Sequence, residues 1–145
     1  MNIPLRISVS DLACSRGGRR LFGGLGFRLE RGEAMLVTGP NGVGKTTLLR
    51  ALAGFVRPDE GAIRVEGAGE DMGLPQLSHF VGHRDGLKAA LTVRENLGLA
   101  PALLGGSGST VASAAERLDL VRLLDLPAGV LSAGQRRRTA LARLL

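Results

Sequence analysis

The stretch Gly39-Pro40-Asn41-Gly42-Val43-Gly44-Lys45-Thr46, with Thr47 behind it, satisfies the pattern G-x-x-x-x-G-K-[ST] at every required position. This pattern constrains the fold more than any other feature of the chain. A triphosphate is a dense anion, so bare backbone N–H groups and the positive end of a helix must converge on it. Glycines at 39, 42 and 44 permit that approach. Upstream, residues 34–38 read as a short buried strand; downstream, residues 46–53 are rich in Leu and Ala and read as a helix closed by Gly54. In this arrangement Lys45 reaches the β- and γ-phosphates of a nucleoside triphosphate, and the Thr46 hydroxyl is a ligand of Mg²⁺. Only two of the nineteen basic residues are lysines. A compact ammonium suits a tight loop better than a planar guanidinium does.

The length of 145 residues suits one domain. No apolar run approaches the roughly 18 residues of a membrane span, and no basic-then-apolar leader opens the chain. The expectation is a cytosolic protein tied to any membrane through a partner. Cys14 is the only cysteine, which excludes an intrachain disulfide and a cysteine-based metal cluster; it reads as a plain strand residue. The net charge of +6 has its excess concentrated in Arg136-Arg137-Arg138. A basic balance can signal nucleic acid, but with four Phe and no Trp or Tyr the chain lacks stacking platforms. No nucleic-acid partner is expected.

Along the chain, alternation of Leu5, Ile7 and Val9 with Arg6, Ser8 and Ser10 marks a strand. Residues 16–20 read as a turn, and 21–22 and 27–29 as two strands separated by Gly23-Gly24-Leu25-Gly26. These joined strands suggest an antiparallel sheet beside a parallel one. Residues 57–61 form a turn, 62–66 a strand, 67–75 an exposed loop, and 78–82 a short buried strand. His83 then falls in a loop at a strand's C-terminal end, where open α/β sheets hold ligands; His79 reads as structural.

Thr92-Val93-Arg94-Glu95 fits a capping box, so a helix starts there and stops before Pro101. Gly105-Gly106-Ser107-Gly108 reads as a flexible loop. Ser109 or Thr110 caps the next helix, whose Val111, Ala114, Leu118, Val121 and Leu124 make one buried stripe. Leu131-Ser132-Ala133-Gly134-Gln135 leads into a last helix with Ser132 as its cap.

The phosphate loop, the helical insertion and residues 131–135 together resemble the nucleotide-binding subunit of ATP-binding-cassette transporters. The resemblance implies an α/β fold of the P-loop NTPase type: a mixed sheet with an antiparallel β subdomain and a helical subdomain. The boundaries expected are 1–90 for the β and phosphate-loop core, 91–130 for the helical subdomain, and 131–145 for the signature and its helix. It also implies that Leu131, Ser132, Ala133, Gly134 and Gln135 cap the ATP held by a second copy, in a dimer that sandwiches two nucleotides. A serine hydroxyl, a glycine and a helix N-terminus form a sensible second anion site. Residues 82–97, 131–144 and 12–22 look more narrowly like the ATP-binding subunit of heme exporters used in cytochrome c maturation. Permease subunits at the cytoplasmic face of the inner membrane are the implied partners, with contact expected at residues 83–91. Another transporter ATPase, or a soluble cassette ATPase outside transport, is the alternative.

Two positions depart from the general pattern. His83 stands where a glutamine normally meets Mg²⁺ and the attacking water; it is either that contact or a solvated loop histidine. Arg16 stands where an aromatic normally stacks on adenine; a guanidinium plane can also stack, and an exposed turn arginine is the alternative. The strand with the Mg²⁺-binding aspartate and catalytic glutamate that should follow the signature helix does not occur before Leu145. The expectation is therefore a C-terminally truncated chain, poorly stable and inactive in hydrolysis by itself.

Overall fold

A computed structural model describes residues 5–69, 72–104 and 110–145. The expected loop at 105–108 lies outside them. The chain packs as two compact units, residues 1–80 and 81–145.

In the first unit, β1 (Arg6–Arg16) is the centre of a three-stranded sheet ordered β2-β1-β3, with β2 (Arg19–Glu30) and β3 (Glu60–Glu66) both antiparallel to it. Arg6 ties both neighbours, pairing with Glu30 at 2.5 Å and Glu66 at 3.5 Å. Val9 and Leu12 pack with Leu48 of helix α1 (Lys45–Leu52), and Phe22, Leu25, Phe27 and Ile63 close around them. Val9 and Leu12 are three apart because Asp11, at φ +48°, is an extra residue that β1 inserts against both neighbours. Opposite it, Gly61 sits at φ +86°, and a Cβ there would collide with the Ser10 and Asp11 carbonyls. Cys14 is buried in β1; burial, then the charge of Asp59, pushes its thiol pKa up.

Several expectations need correction here. Residues 21–22 and 27–29 belong to one strand, not two. The intervening glycines lie inside β2, where register shifts between Leu12 and Cys14 and between Cys14 and Ser15 absorb extra residues. The turn is only Gly17-Gly18, so Arg16 ends β1 and Arg19 and Arg20 begin β2. Residues 34–38 are not a buried strand: no ladder partner for them exists among the described residues, and Leu36 is 86% exposed. An apolar run forms a strand only where its N–H and C=O groups find a neighbouring chain. Residues 78–82 are likewise unpaired, and His79 is exposed rather than packed. At the end of the expected loop at 67–75, of which residues 70 and 71 lie outside the description, a one-turn helix, α2 (Leu74–Leu77), begins and runs past it.

The second unit holds α3 (Val93–Leu104), α4 (Val111–Arg117) and α5 (Ala133–Ala142) around Val93, Leu97, Ala114, Ala115, Leu120, Leu124, Ala128, Leu131 and Ala142. Residues 89–94 are laced to 124–129 by main-chain bonds from Val93 N–H to Leu126 O, Ala128 N–H to Leu91 O and Gly129 N–H to Ala89 O. Buried Asn96 fastens the same stretch, accepting from Lys88 N–H and donating to the carbonyls of Lys88, Leu91 and Thr92. The capping box at α3 forms as expected. Thr92 Oγ1 accepts from Glu95 N–H at 3.2 Å, and a Glu95 carboxylate oxygen accepts from Thr92 N–H at 2.7 Å.

Helix α3 does not stop before Pro101 but runs through it to Leu104. A proline loses one donor and crowds the carbonyl four residues back, but two turns of established helix precede it. Thr110, not Ser109, caps α4. The apolar stripe expected through Val121 is broken, because α4 ends at Arg117 and Asp119 turns left-handed at φ +53°. The phase shifts by one residue: Leu120 is fully buried and Val121 is exposed.

Candidate nucleotide-binding site

Helix α1 starts at Lys45 with Gly44 as its N-cap, at φ +111° and ψ 6°, a conformation costly for any residue with a Cβ. A Cβ on Gly44 would also meet Phe22 Cδ1 at 2.9 Å and Leu21 Cβ at 3.1 Å, so glycine is what lets the loop lie flat on β2. Gly39 at φ +140° and Gly42 at φ +84° make the other two turns of the loop.

The start of α1 has no side-chain cap and no acidic residue in its first turn. Its leading N–H groups precede the first intrahelical bond, Leu48 N–H to Gly44 O at 2.8 Å, so the helix itself provides them with no acceptor. They border a cleft of about 280 Å³ lined by Arg16, Leu21, Asn41, Gly42, Gly44, Lys45, Thr46 and Thr47. The chain thus brings Arg16, distant in sequence, to the phosphate loop. Leu21 was not singled out from the sequence; its strand position beside the loop is a tertiary property that no local pattern signals. Lys45 Nζ donates to Gly39 O at 2.6 Å and Pro40 O at 2.8 Å, which anchors the ammonium across the loop.

This donor set fits a polyphosphate. Uncapped amides, an ammonium and a hydroxyl converge with no carboxylate on the cleft wall. Among the described residues no group of three or more His, Cys, Asp or Glu could hold a metal ion.

His83 and residues 131–135 belong to the second unit. His83 is exposed and makes no side-chain hydrogen bond among the described residues. Ser132 caps α5 through a complete capping box: its Oγ accepts from Gln135 N–H at 3.2 Å, and Gln135 Oε1 accepts from Ser132 N–H at 2.8 Å. The Gln135 arm was missed in the sequence although Ser132-Ala133-Gly134-Gln135 has the S-x-x-Q form. Leu131 points into the core of its unit, while Ser132, Ala133 and Gly134 are exposed. The arginines behind them are not a free basic patch. Arg136 donates to Leu131 O, Arg137 to Gly82 O, Arg138 to Leu118 O and Arg143 to Gly86 O.

Residues 22–145 match the ABC transporter family. The chain belongs to that family. It is 49% identical over 97% of its length to the cytochrome c biogenesis ATP-binding export protein CcmA of Nitrobacter winogradskyi, and covers 70% of that protein. It is 44% identical over 97% of its length to the CcmA of Rhizobium meliloti, again covering 70% of it. Among solved structures, a Pyrococcus furiosus protein described as an ABC transporter ATP-binding protein superposes on 96% of the chain with a TM-score of 0.81 at 24% identity; the chain covers 69% of it. The cbiO1 protein of Clostridium perfringens, part of the ABC transporter complex cbiONQ, does so on 96% with a TM-score of 0.78 at 24% identity, and is 60% covered.

The fold is therefore that of an ABC ATPase, and the chain carries an ATP-binding domain of the kind that partners membrane components in a transporter. Among the described residues, no helix is long and apolar enough to cross a membrane itself.

Proposed function

We propose that this chain is the nucleotide-binding part of an ATP-hydrolysing subunit that powers an export complex in c-type cytochrome biogenesis, with heme-related cargo. The observation that carries the reading is the open start of α1 facing the cleft with Lys45 and Thr46. The identity of 49% to a CcmA supports the narrower assignment to cytochrome c biogenesis.

In this reading Gly42, Gly44, Lys45, Thr46 and Thr47 offer backbone N–H groups to the phosphates, Lys45 adds charge, and Gly39, Pro40, Asn41 and Val43, whose N–H donates to Pro40 O, shape the loop. Arg16 lies against the adenine. Thr46 would supply a hydroxyl ligand to Mg²⁺ held with the phosphates. Such an ion would supply positive charge against that which develops on the phosphates. His83 takes the role toward the attacking water that a glutamine usually has. The subunit sits at the cytoplasmic face of the inner membrane, held by permease subunits through residues 83–91. Residues 91–130 act as the helical subdomain that passes motion to them.

Ser132 and Gly134 act on the nucleotide of a second copy. A Cβ on Gly134 would meet nothing within 4 Å among the described residues, so none of them explains a glycine there. A close approach from outside the chain does. Ser132 Oγ accepts in the cap yet keeps its proton to donate outward.

The test is Ser132→Arg in the complete native subunit. Monomeric ATP binding should persist and ATP-dependent dimerisation should disappear, read by light scattering. Normal dimerisation of the variant would refute the action across a dimer. Steady-state phosphate release from the wild type, abolished by Lys45→Ala, tests the hydrolase reading itself.

A further inference from the structure

Residues 82–86 contain His83, yet they make no main-chain hydrogen bond with one another or with their surroundings among the described residues. What holds them is α5. Arg137 Nη1 donates to Gly82 O at 2.6 Å, and Arg143 Nη1 donates to Gly86 O at 3.1 Å. These two carbonyls bracket His83, Arg84 and Asp85. The same Nη1 of Arg137 lies 3.4 Å from Asp85 Oδ1, and the Asp85 side chain is only 19% exposed. One guanidinium nitrogen, with two N–H donors, thus serves the near end of the loop and its middle. At the far end Gly86 turns left-handed at φ +64°, and an Arg143 nitrogen lies 3.6 Å from where its Cβ would be.

Charge-assisted bonds of this kind are roughly twice as strong as neutral ones. They are also poor devices for stability alone. Arg143 Nε is buried with no partner among the described residues, an arrangement that an apolar side chain would avoid. An apolar side chain would leave the loop untethered.

Helix α5 is the element that Ser132 opens. The loop with His83 is therefore fixed to the body whose first turn carries the outward-facing serine. We propose that Arg137 and Arg143 are positioning residues that hold His83 in register with the Ser132 end of α5, so that a ligand engaging Ser132 fixes His83 as well. This inference rests on the reading of His83 as a contact to the attacking water. Arg137 and Arg143 touch neither nucleotide nor water; they act through the loop.

The experiment uses the complete native subunit with Arg137→Ala, Arg137→Lys, His83→Ala and the double variant Arg137→Ala/His83→Ala. Hydrogen–deuterium exchange without nucleotide reads the tether directly. In Arg137→Ala, exchange at residues 82–86 should rise about tenfold while α3 is unchanged, because a local opening is released without global unfolding. Turnover should fall about tenfold, since small misplacements of a catalytic contact are expensive in rate. KM for Mg-ATP should stay within about twofold, as the phosphate loop is untouched. Arg137→Lys, which can still donate to Gly82 O, should recover most of both losses.

In the His83→Ala background, adding Arg137→Ala should lower turnover no further. Additive losses would overturn the inference, because Arg137 would then act elsewhere; so would unchanged exchange in Arg137→Ala. If His83→Ala alone leaves turnover intact, the His83 reading has failed and the positioning role with it, while the exchange data still report on the tether. Should Arg137→Ala not fold, Asp85→Asn, which weakens the 3.4 Å contact, and Arg137→Lys carry the same comparison.

Discussion

Helices α1 and α5 both begin at residues assigned to nucleotide, but their N-termini are finished in opposite ways. Helix α1 opens on a left-handed glycine with no capping side chain, so its leading amides await an acceptor. Helix α5 opens on Ser132 and Gln135, which close a reciprocal box on each other. An open end leaves its amides to solvent or to an external anion. A closed end is complete without one and can only lend what its cap leaves over, here a hydroxyl proton and the first amides. On the proposed function, the difference separates a site that holds a ligand from one that touches a ligand held elsewhere.

The largest test of that contrast is Lys45→Ala. Loss of a charge-assisted contact worth about 1.5 to 3 kcal/mol should weaken ATP binding by about tenfold to more than a hundredfold. Titration calorimetry on a variant shown to be folded checks this, and unchanged affinity would remove the open end from the argument.

Gly44→Ala comes next. At φ +111°, with Phe22 2.9 Å from the new Cβ, it should destabilise the chain by about 1 to 3 kcal/mol in urea denaturation. Gly134→Ala makes the opposite case. It has free space and no left-handed backbone, so it should stabilise by about 0.4 to 1 kcal/mol while ATP-dependent dimerisation weakens. A destabilised Gly134→Ala would mean that the glycine serves this chain's own fold.

The smallest effect is electrostatic. Helix α3 is closed by Glu95, a titrating group, where α5 is closed by Gln135, which does not titrate. The Glu95 carboxyl pKa is lowered by the Thr92 N–H, then by the Thr92 hydroxyl. A lowered folded pKa means the contribution is complete above the ordinary carboxylate range and is lost as pH falls through the lowered value. Acid should thus loosen the start of α3 before that of α5. Amide exchange at residues 92–96 measured down a pH series checks this, and Glu95→Gln should flatten the response.

Features that depend on neighbours in the chain were legible in the sequence. The phosphate loop, the helix behind it and the Thr92 cap are local chemistry, and each appears where its pattern stands. Features that depend on a distant partner were not. Residues 34–38 and 78–82 have strand-like composition, but pairing is a property of two segments, and composition reports one. The glycines at 23, 24 and 26 looked like a break because bulges and breaks share a residue type. Val121 kept its helical spacing on paper, and a single left-handed residue at Asp119 moved the buried face to Leu120. The sequence marked the arginine run only as the seat of the excess charge, whereas the acceptors of Arg137 and Arg138, the carbonyls of Gly82 and Leu118, are set by tertiary packing. Arg16 was marked from resemblance, and the geometry brings it to the cleft.

The two bonds from Lys45 to the Gly39 and Pro40 carbonyls bear on how fast the site fills. An ammonium has three N–H donors, and two are already committed within the loop. The third is available to an arriving phosphate without either bond being surrendered. The loop then has no slow rearrangement to make before capture, and little conformational entropy to lose during it. Association should accordingly be governed by diffusion and charge, slowing with added salt, and not by a gating step of the protein.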